Sequence, residues 1–235
     1  MGGVSRLAQA SIICAVSALC VAPAGCSSGG ELPPQRPTDP GPSQADANAL
    51  RLPFLVDDYF VPSGCFGDAN CLGNVIDINS RACPSPGRPA VQSVCRRYRY
   101  SPLSIGAPGY LGFVGILFQD MAETENQEIG RVPGRRVEPG GRRVVFWAAV
   151  AQGSAQVLFR AGGANNWEGK TDPALPYRDE FAVSTSFTVT SEFQQVELDL
   201  SEVNYGEVVS PFGWSIDSAG KFESIDLFID DLRWE

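Results

Sequence analysis

The feature of this sequence that most constrains its fold is the alternation of short apolar runs with turns. The runs are rich in Val, Ile, Leu and Phe, and the turns between them carry many of the 25 Gly and 18 Pro residues. No segment keeps a helical period for more than about two turns. Many short strands divided by Gly and Pro turns predict an all-β protein, an antiparallel β-sandwich.

Two of the expected strands show which faces they bury. Residues 142–150 are apolar on both faces after the first two positions, which predicts a central strand covered on both sides. Residues 193–200 alternate apolar with polar side chains, which predicts a strand with one face in water. The expected strands are, in chain order, 52–60, 96–100, 110–118, 142–150, 155–161, 180–189, 193–200, 212–216 and 222–235.

The first and last strands each carry two adjacent aspartates within an apolar run. They are Asp57 and Asp58 near the start, and Asp230 and Asp231 near the end. Because neighbouring residues of a strand point to opposite faces, one aspartate of each pair faces inward or lies at the rim of the sheet. A buried carboxylate needs a partner, and a shared cation between paired end strands would supply one. We therefore expect the two ends of the domain to pair.

The N-terminus has the pattern of an export signal, which divides the chain into three parts. Residues 1–25 contain a charged start, a short apolar core and a small-residue cleavage region, and predict a signal peptide. The stretch Pro23-Ala-Gly-Cys26 resembles a bacterial lipobox, which implies a lipid on Cys26. An ordinary secretory signal is the alternative. Residues 26–49 predict a flexible tether, and residues 50–235 the β-sandwich domain.

The acidic balance of the chain bears on its partners. The formal net charge is −9, and such a surface repels phosphate backbones, so we expect no nucleic-acid partner. Contact with a membrane is expected through the lipid anchor only. The expected location is the bacterial outer membrane or cell surface, as an exported lipoprotein.

The cysteines predict cross-links in the expected domain. Cys65, Cys71, Cys83 and Cys95 form an even set in a chain that reads as exported, so two disulfides are expected, in any of three connectivities. A zinc site is the alternative, but the tight cysteine pairs of zinc ribbons are missing. The Val61-Pro-Ser-Gly64 stretch predicts a turn, and the residues from Cys65 to Cys95 predict a loop-rich insertion held by its own disulfides.

The absence of histidine limits the available chemistry. With none in the chain, Ser-His-Asp and Cys-His hydrolysis and histidine-ligated metal sites are excluded. Paired carboxylates remain as a route to glycoside cleavage, since that reaction needs two acids about 5 to 9 Å apart. Acids that lie close together in sequence are Glu123, Glu125, Glu128, Asp179 and Glu180.

Several motifs, taken in order, resemble the galactose-binding-like jelly-roll fold of carbohydrate-binding modules in exported bacterial proteins. They are Val56-Asp-Asp-Tyr-Phe60, Val137-Glu-Pro-Gly-Gly-Arg-Arg-Val-Val-Phe-Trp-Ala148, Ala161-Gly-Gly163, Phe193 to Ser201, Phe212-Gly-Trp214 and the closing Leu-Phe-Ile-Asp-Asp-Leu. The resemblance implies a polysaccharide or cell-surface glycan as partner. It also implies a structural calcium between the first and last strands. Asp230 matches the closing ligand with Asp231 beside it, and Asp57 or Asp58 serves from the opening strand.

The sugar sites of that family are aromatic platforms with polar rims, because a pyranose has an apolar face that stacks on a ring and hydroxyls that take directional hydrogen bonds. The candidate platform residues are Trp167 and Tyr177, which lie in a polar loop. Trp147 and Trp214 lie in strand patterns typical of a core. Tyr110 and Tyr205 fit a structural role and a ligand contact equally well. The expected polar partners are Asn165, Asn166, Asp172 and Arg178.

Three functions fit these observations. The first is a non-catalytic carbohydrate-binding module tethered to the envelope or cell surface. The second is a structural or protein-binding envelope lipoprotein with the same fold and no affinity for sugar. The third is a carboxylate-dependent glycosidase, for which the sequence has no positive signal.

Overall fold

The computed structural model describes residues 49–69, 75–76, 83, 94–120, 129–131, 133–166, 170–218 and 223–235. The predicted signal peptide and tether lie outside these residues up to position 48, and so do Cys26, Cys71 and Trp167. The described residues belong to one compact unit that spans Gly41–Glu235. Within them, no helix has the length and apolar character to cross a membrane.

The described part of the chain forms thirteen strands and one short 3-10 turn at Val56–Asp58. The strands are β1 (Phe54–Leu55), β2 (Phe60–Gly67), β3 (Val75–Ile76), β4 (Arg96–Tyr100), β5 (Phe113–Asp120), β6 (Arg135–Arg136), β7 (Arg143–Val150), β8 (Ser154–Gly162), β9 (Ala182–Thr190), β10 (Gln194–Asp199), β11 (Glu207–Val208), β12 (Gly213–Asp217) and β13 (Ile225–Trp234).

Two antiparallel sheets hold most of the strands. The six-stranded sheet has the order β10-β7-β13-β4-β3, and β1 pairs with β13 beyond the end of β4. The five-stranded sheet has the order β2-β5-β12-β8-β9. A small third sheet pairs β6 with β11. The chain is thus all-β and antiparallel, as the strand spacing predicts.

The core lies between the two large sheets. Ring pairs cross from one sheet to the other: the Tyr98 and Trp214 centroids are 5.0 Å apart, and those of Phe146 and Phe159 are 4.7 Å apart. All four side chains are fully buried. Burying an aromatic side chain of this size stabilises the fold by about 1.5–3 kcal/mol, so the facing rings hold the two sheets together as a β-sandwich.

The strand β7 is buried on both faces, as its sequence predicts. Its outward-facing Ala149 packs with Phe193, Phe228 and Cys95 in a second, smaller apolar cluster on the outside of the six-stranded sheet. A disulfide joins Cys95 to Cys83, which packs against the same cluster. The expected disulfide-linked insertion is thus confirmed for this pair. Cys65 is also disulfide-bonded.

The first predicted strand, 52–60, is divided by a corner. β1 belongs to the six-stranded sheet and β2 to the five-stranded sheet, and the 3-10 turn between them carries the chain across. Val56 is fully buried at this corner, and its carbonyl accepts the N–H of Tyr59 at 3.1 Å. The apolar run continues through the corner because the residues before it are buried by one sheet and the residues after it by the other.

The turn predicted at Val61–Gly64 lies inside β2, so that prediction was wrong. The register of β2 on β5 shifts between Pro62 and Gly64, which marks a bulge. β2 is an edge strand, and a proline without an N–H is accommodated at an edge or a bulge.

The expected pairing of the two ends is confirmed. Phe54 pairs with Trp234 and Leu55 with Arg233, so β1 lies against the C-terminal end of β13. β13 also pairs with β4 and β7, which makes it the strand with the most neighbours in its sheet.

Candidate functional site

The outer face of the five-stranded sheet presents a broad array of side chains that the core does not use. One row runs in register across all five strands: Phe66, Gly115, Ser215, Leu158 and Ser186. We call this surface the sheet face. Its members point away from the core positions that alternate with them, and Leu117, Gln119 and Arg160 among them are buried on this side. The sheet face consists of Gly64, Phe66, Phe113, Gly115, Leu117, Gln119, Gln156, Leu158, Arg160, Ser184, Ser186, Thr188, Gly213, Ser215 and Asp217.

Two phenylalanines form the aromatic part of the sheet face. The rings of Phe66 and Phe113 are 6.3 Å apart between centroids and tilted by 55°, and both are partly exposed. Phe66 reaches over the neighbouring strand, where a Cβ built on Gly115 would lie 2.1 Å from its Cζ atom. Only glycine at that position leaves room for the ring.

An arginine on the same face, Arg160 of β8, reaches the Phe66 ring across β12. The Cζ of Arg160 lies 4.8 Å from the Phe66 ring centroid, and its Nη2 donates to the Ser215 hydroxyl at 3.2 Å. The side chain crosses Gly213, where a Cβ would lie 3.2 Å from its Cγ. Burial lowers the pKa of Arg160 to about 10, which leaves the guanidinium charged at neutral pH.

The half of the sheet face on β8 and β9 is exposed and carries hydroxyl and amide groups. The Gln156 amide donates to the Thr188 hydroxyl at 2.6 Å, and the Ser186 hydroxyl donates to the Gln156 carbonyl at 3.4 Å. These groups both donate and accept hydrogen bonds. They can therefore exchange their mutual bonds for bonds to the hydroxyls of a ligand.

The loop that contains the predicted polar residues is held by those residues themselves. Asn165 has a positive φ of 47°, and its side-chain amide donates to the carbonyls of Asp172 and Leu175 at 3.1 and 3.0 Å. Its Oδ1 accepts the N–H of Asp172 at 2.7 Å. Asn166 donates its side-chain amide to the carbonyl of Asp179 at 2.8 Å. These bonds fix the shape of the loop.

Asp179 is the buried anchor of this loop. Its carboxylate is fully buried and accepts the N–H groups of Ala164 at 2.9 Å and Val209 at 2.7 Å, with longer contacts to the N–H of Ser210. Burial raises the pKa of Asp179 to about 7, because the hydrogen bonds offset only part of the cost of removing the charge from water. The loop and the segment before β12 therefore meet at one carboxylate.

The turn at Ile129 and Gly130 joins the loop to one end of the sheet face. A Cβ on Gly64 would lie 2.5 Å from Cγ1 of Ile129, so that side chain lies over the middle of β2. The next residue, Gly130, accepts the Tyr177 N–H at 3.0 Å. Tyr177 is half-buried, while Asp172 and Arg178 are exposed. The predicted loop and the sheet face thus adjoin one another.

The remaining aromatic candidates lie in different places. Trp214 is fully buried in the core, as its strand pattern predicts. Trp147 is partly buried against the small cluster outside the six-stranded sheet. The Tyr205 hydroxyl accepts the Gly141 N–H at 2.6 Å and donates to the Glu138 carbonyl at 3.1 Å, and Tyr110 is half-buried before β5.

The acids considered for catalysis are not brought together among the described residues. Glu123, Glu125 and Glu128 lie outside them. Glu180 is exposed, with its carboxylate 3.6 Å from the Arg178 guanidinium, while Asp179 is buried in backbone hydrogen bonds.

The two predicted acidic pairs meet at the seam between β1, β13 and the 3-10 turn, and arginines lie among them. Asp57 accepts a hydrogen bond from Nε of Arg96, and Asp231 lies 3.1 Å from Nη2 of Arg233. Oδ1 of the fully buried Asp230 accepts the N–H of Asp231 at 2.8 Å, and Asp58 is exposed. Burial raises the pKa values of Asp57 and Asp231, and the neighbouring arginines oppose the rise.

Calcium requires six to eight oxygen ligands within about 2.3–2.6 Å. Within the described ranges, no group of three or more carboxylates or other metal-ligating side chains lies close enough to hold a metal ion. The donors present at the seam therefore do not fit calcium, because a guanidinium already lies against the Asp57 carboxylate. The calcium implied by the resemblance stays a prediction.

The sheet face itself was not predicted from the sequence. Phe66 falls where a loop was expected, and only the pairing of β2 with β5 places it beside Gly115. A usable signal was present in β9, where Ser184, Ser186 and Thr188 alternate with Val183, Thr185, Phe187 and Val189. That alternation predicts one exposed polar face, which the other four strands then extend.

No family model and no curated protein match this sequence. Among solved structures, the chain is similar to a family 29 carbohydrate-binding module variant complexed with cellulohexaose, at 14% identity over 68% of this chain and 87% of that one, with a TM-score of 0.29. A carbohydrate-binding module of family 4 has 15% identity over 62% and 84%, with a TM-score of 0.29. An agarase has 10% identity over 69% and 26%, with a TM-score of 0.37. These neighbours include the class that the sequence motifs resemble. At TM-scores this low, the likeness supports no conclusion about function.

Proposed function

We propose that this protein is a non-catalytic carbohydrate-binding domain whose ligand is a polysaccharide or cell-surface glycan. The sheet face takes the sugar, and the adjoining loop, with Tyr177, Arg178 and the predicted Trp167, forms its edge. In this proposal residues 1–25 export the chain, and a lipid on Cys26 with the tether at 26–49 holds the domain at the envelope or cell surface.

The observation that carries the proposal is the composition of the sheet face. Partly exposed Phe66, Phe113 and Leu158 lie beside the exposed hydroxyl and amide groups of Gln156, Ser186 and Thr188. A sugar ring has the same two properties, because its C–H face is apolar and its edge carries hydroxyls that donate and accept. The row of outward-facing side chains crosses five strands, which leaves room for more than one ring of a chain.

The non-catalytic part of the proposal has two supports. The chain has no histidine to serve as a general base. Among the outward-facing residues of the described sheet, Asp217 is the single carboxylate, whereas glycoside cleavage needs two.

The test is binding of the full chain to a panel of immobilised polysaccharides. We expect Phe66→Ala to weaken binding about fivefold to thirtyfold, because it removes the ring on which the sugar stacks, a contact of roughly 1–2 kcal/mol. The matched control is Trp147→Ala, an aromatic residue on the outside of the opposite sheet, which should leave binding unchanged. Absence of binding to every polysaccharide by the folded wild type would refute the proposal, and loss of binding in the control alone would place the site elsewhere.

A second function, binding of a partner protein, is favoured by one observation. Ile105 and Leu111, in the segment between β4 and β5, are 65% and 61% exposed. The backbone at Leu111 is anchored, because the buried carboxylate of Asp68 accepts the N–H groups of Leu111 and Gly112 at 2.7 and 2.8 Å and the Tyr100 hydroxyl at 2.8 Å. Patches of exposed apolar side chains are typical of protein contact sites. If Leu111→Ser removes capture of a cell-surface protein while the glycan panel stays negative, this second function is the correct one.

A further inference from the structure

We infer that the guanidinium of Arg96, and not a metal ion, is the cation that closes the seam between the first and last strands. The resemblance implies calcium at this place, and the side chains present lead to a different assignment.

The sheet has a gap that needs closing at this point. On one edge of β13, Ile229 pairs with Arg96 of β4, and Arg233 pairs with Leu55 of β1. On the other edge of β13, the register against β7 shifts between Asp230 and Arg233. Asp231, which lies in this segment, has a positive φ of 52°. The 3-10 turn at 56–58 packs against β13 at this gap.

Arg96, the first residue of β4, spans the gap. Its Nε donates to Oδ1 of Asp57 in the 3-10 turn, and each of the two side chains is only 10% exposed. The Cζ of Arg96 lies 5.9 Å from the ring centroid of Phe118, which belongs to the opposite sheet. One buried cation thus connects β4, the turn after β1 and the five-stranded sheet.

The same arrangement disfavours a divalent ion. A calcium ion bound to Asp57 would lie against the fixed positive charge of Arg96 and be repelled by it. The neighbouring Asp231 faces a second arginine, Arg233, at 3.1 Å. A guanidinium also suits the site because it donates along fixed directions and packs on aromatic rings while staying charged.

The first test is thermal unfolding of the full chain in excess calcium and in excess chelator. We expect the same melting temperature in both, because the seam is closed without a metal. A melting temperature that rises with calcium, or a calcium site found by titration calorimetry, would overturn the inference.

The second test removes the guanidinium. Arg96→Gln should lower the melting temperature by about 10 °C in both buffers, because it leaves a buried carboxylate without its cation. Arg97→Gln is the matched control, since Arg97 is partly exposed and pairs with Asp226 at 2.9 Å on the outside of the same strand. Its melting temperature should fall much less. Equal falls in the two variants would count against the inference.

A third variant guards against a single mutant that does not fold. Arg96→Met combined with Asp57→Leu removes both charges, and replacing a buried pair by apolar side chains is often neutral. The double variant should melt well above Arg96→Gln. If it is as unstable as the sum of the two separate changes, the two side chains do not act as a pair and the inference fails.

Discussion

At the scale of single residues, Gly115 and Gly213 decide what the sheet face looks like. Both lie on the middle strands, where a side chain would fill the space over the sheet. Their absence of a Cβ lets Phe66 and Arg160 meet across the centre, at 4.8 Å. The shape of the proposed binding surface therefore depends on two positions that themselves present nothing to a ligand.

Replacement of Gly115 by Ala is expected to displace the Phe66 ring. The new Cβ would lie 2.1 Å from Cζ of Phe66, far inside a normal contact, so the ring or the strand must shift. We expect a loss of about 1–3 kcal/mol in unfolding free energy and weaker glycan binding. Chemical denaturation and the glycan panel measure the two effects. Gly206→Ala is the control, since a Cβ there meets nothing within 4 Å, and equal effects in both variants would contradict the explanation.

The sequence shows which residues of the predicted site have side chains suited to binding a sugar, but it does not show what those side chains contact. Asn165 and Asn166 are suitable for binding hydroxyls, yet their amides bond to the carbonyls of Asp172, Leu175 and Asp179. Whether a polar side chain bonds its own loop or faces a ligand depends on the path of the backbone. That path is set by contacts distant in sequence, such as Asp179 with Val209.

At the scale of elements, the disulfide Cys83–Cys95 and the small apolar cluster form a separate unit on the outside of the six-stranded sheet. The cluster covers Ala149 of β7 and Phe228 of β13, two strands whose other faces line the main core. The cross-link therefore ties the insertion to the centre of the sheet.

Removal of this disulfide is expected to destabilise the fold without affecting binding. Cys83→Ser with Cys95→Ser should lower the unfolding free energy by about 2–4 kcal/mol, because the unfolded chain regains the freedom of the closed loop. Denaturation of wild type and variant under non-reducing conditions gives the difference. Glycan binding should persist in the folded variant, because the sheet face lies on the other sheet. Loss of binding at unchanged stability would be inconsistent with this separation.

The positions of the main strands could be predicted from the sequence, but the corners and turns that connect them could not. Residues 96–100 were predicted as a strand and form β4, and the prediction for 142–150 differs from β7 by one residue. The corner at Val56 was missed, because an apolar run that passes from one sheet to the other has the same pattern as one strand. Hydrophobic periodicity indicates which side chains are buried, but not which sheet buries them.

At the scale of the whole molecule, stability should depend on pH through Asp179. Its pKa is about 7 in the folded protein, against 3.8 for an exposed aspartate. Between these values the folded chain holds a proton that the unfolded chain has released. The contribution of Asp179 to stability is therefore complete below pH 3.8 and is lost as the pH rises through about 7.

The check is urea unfolding of wild type and Asp179→Asn across this pH range. The difference in unfolding free energy, wild type minus variant, should fall with rising pH by up to about 1.4 kcal/mol per unit. Asp172→Asn makes the same substitution at an exposed position of the same loop and serves as the control for the chemical change itself. A difference for Asp179→Asn that is constant or grows with pH would show that the carboxyl is already charged in the folded protein.

The position of β13 has a consequence for how this chain acquires its structure. The C-terminal strand lies in the middle of the six-stranded sheet, between β7 on one side and β4 with β1 on the other. Every long-range pairing of that sheet through β13 waits until residues 225–234 are available, and closing such distant contacts is slow. The six-stranded sheet therefore closes only after this strand has been made, however early β4 and β7 are available, whereas the five-stranded sheet contains no part of β13.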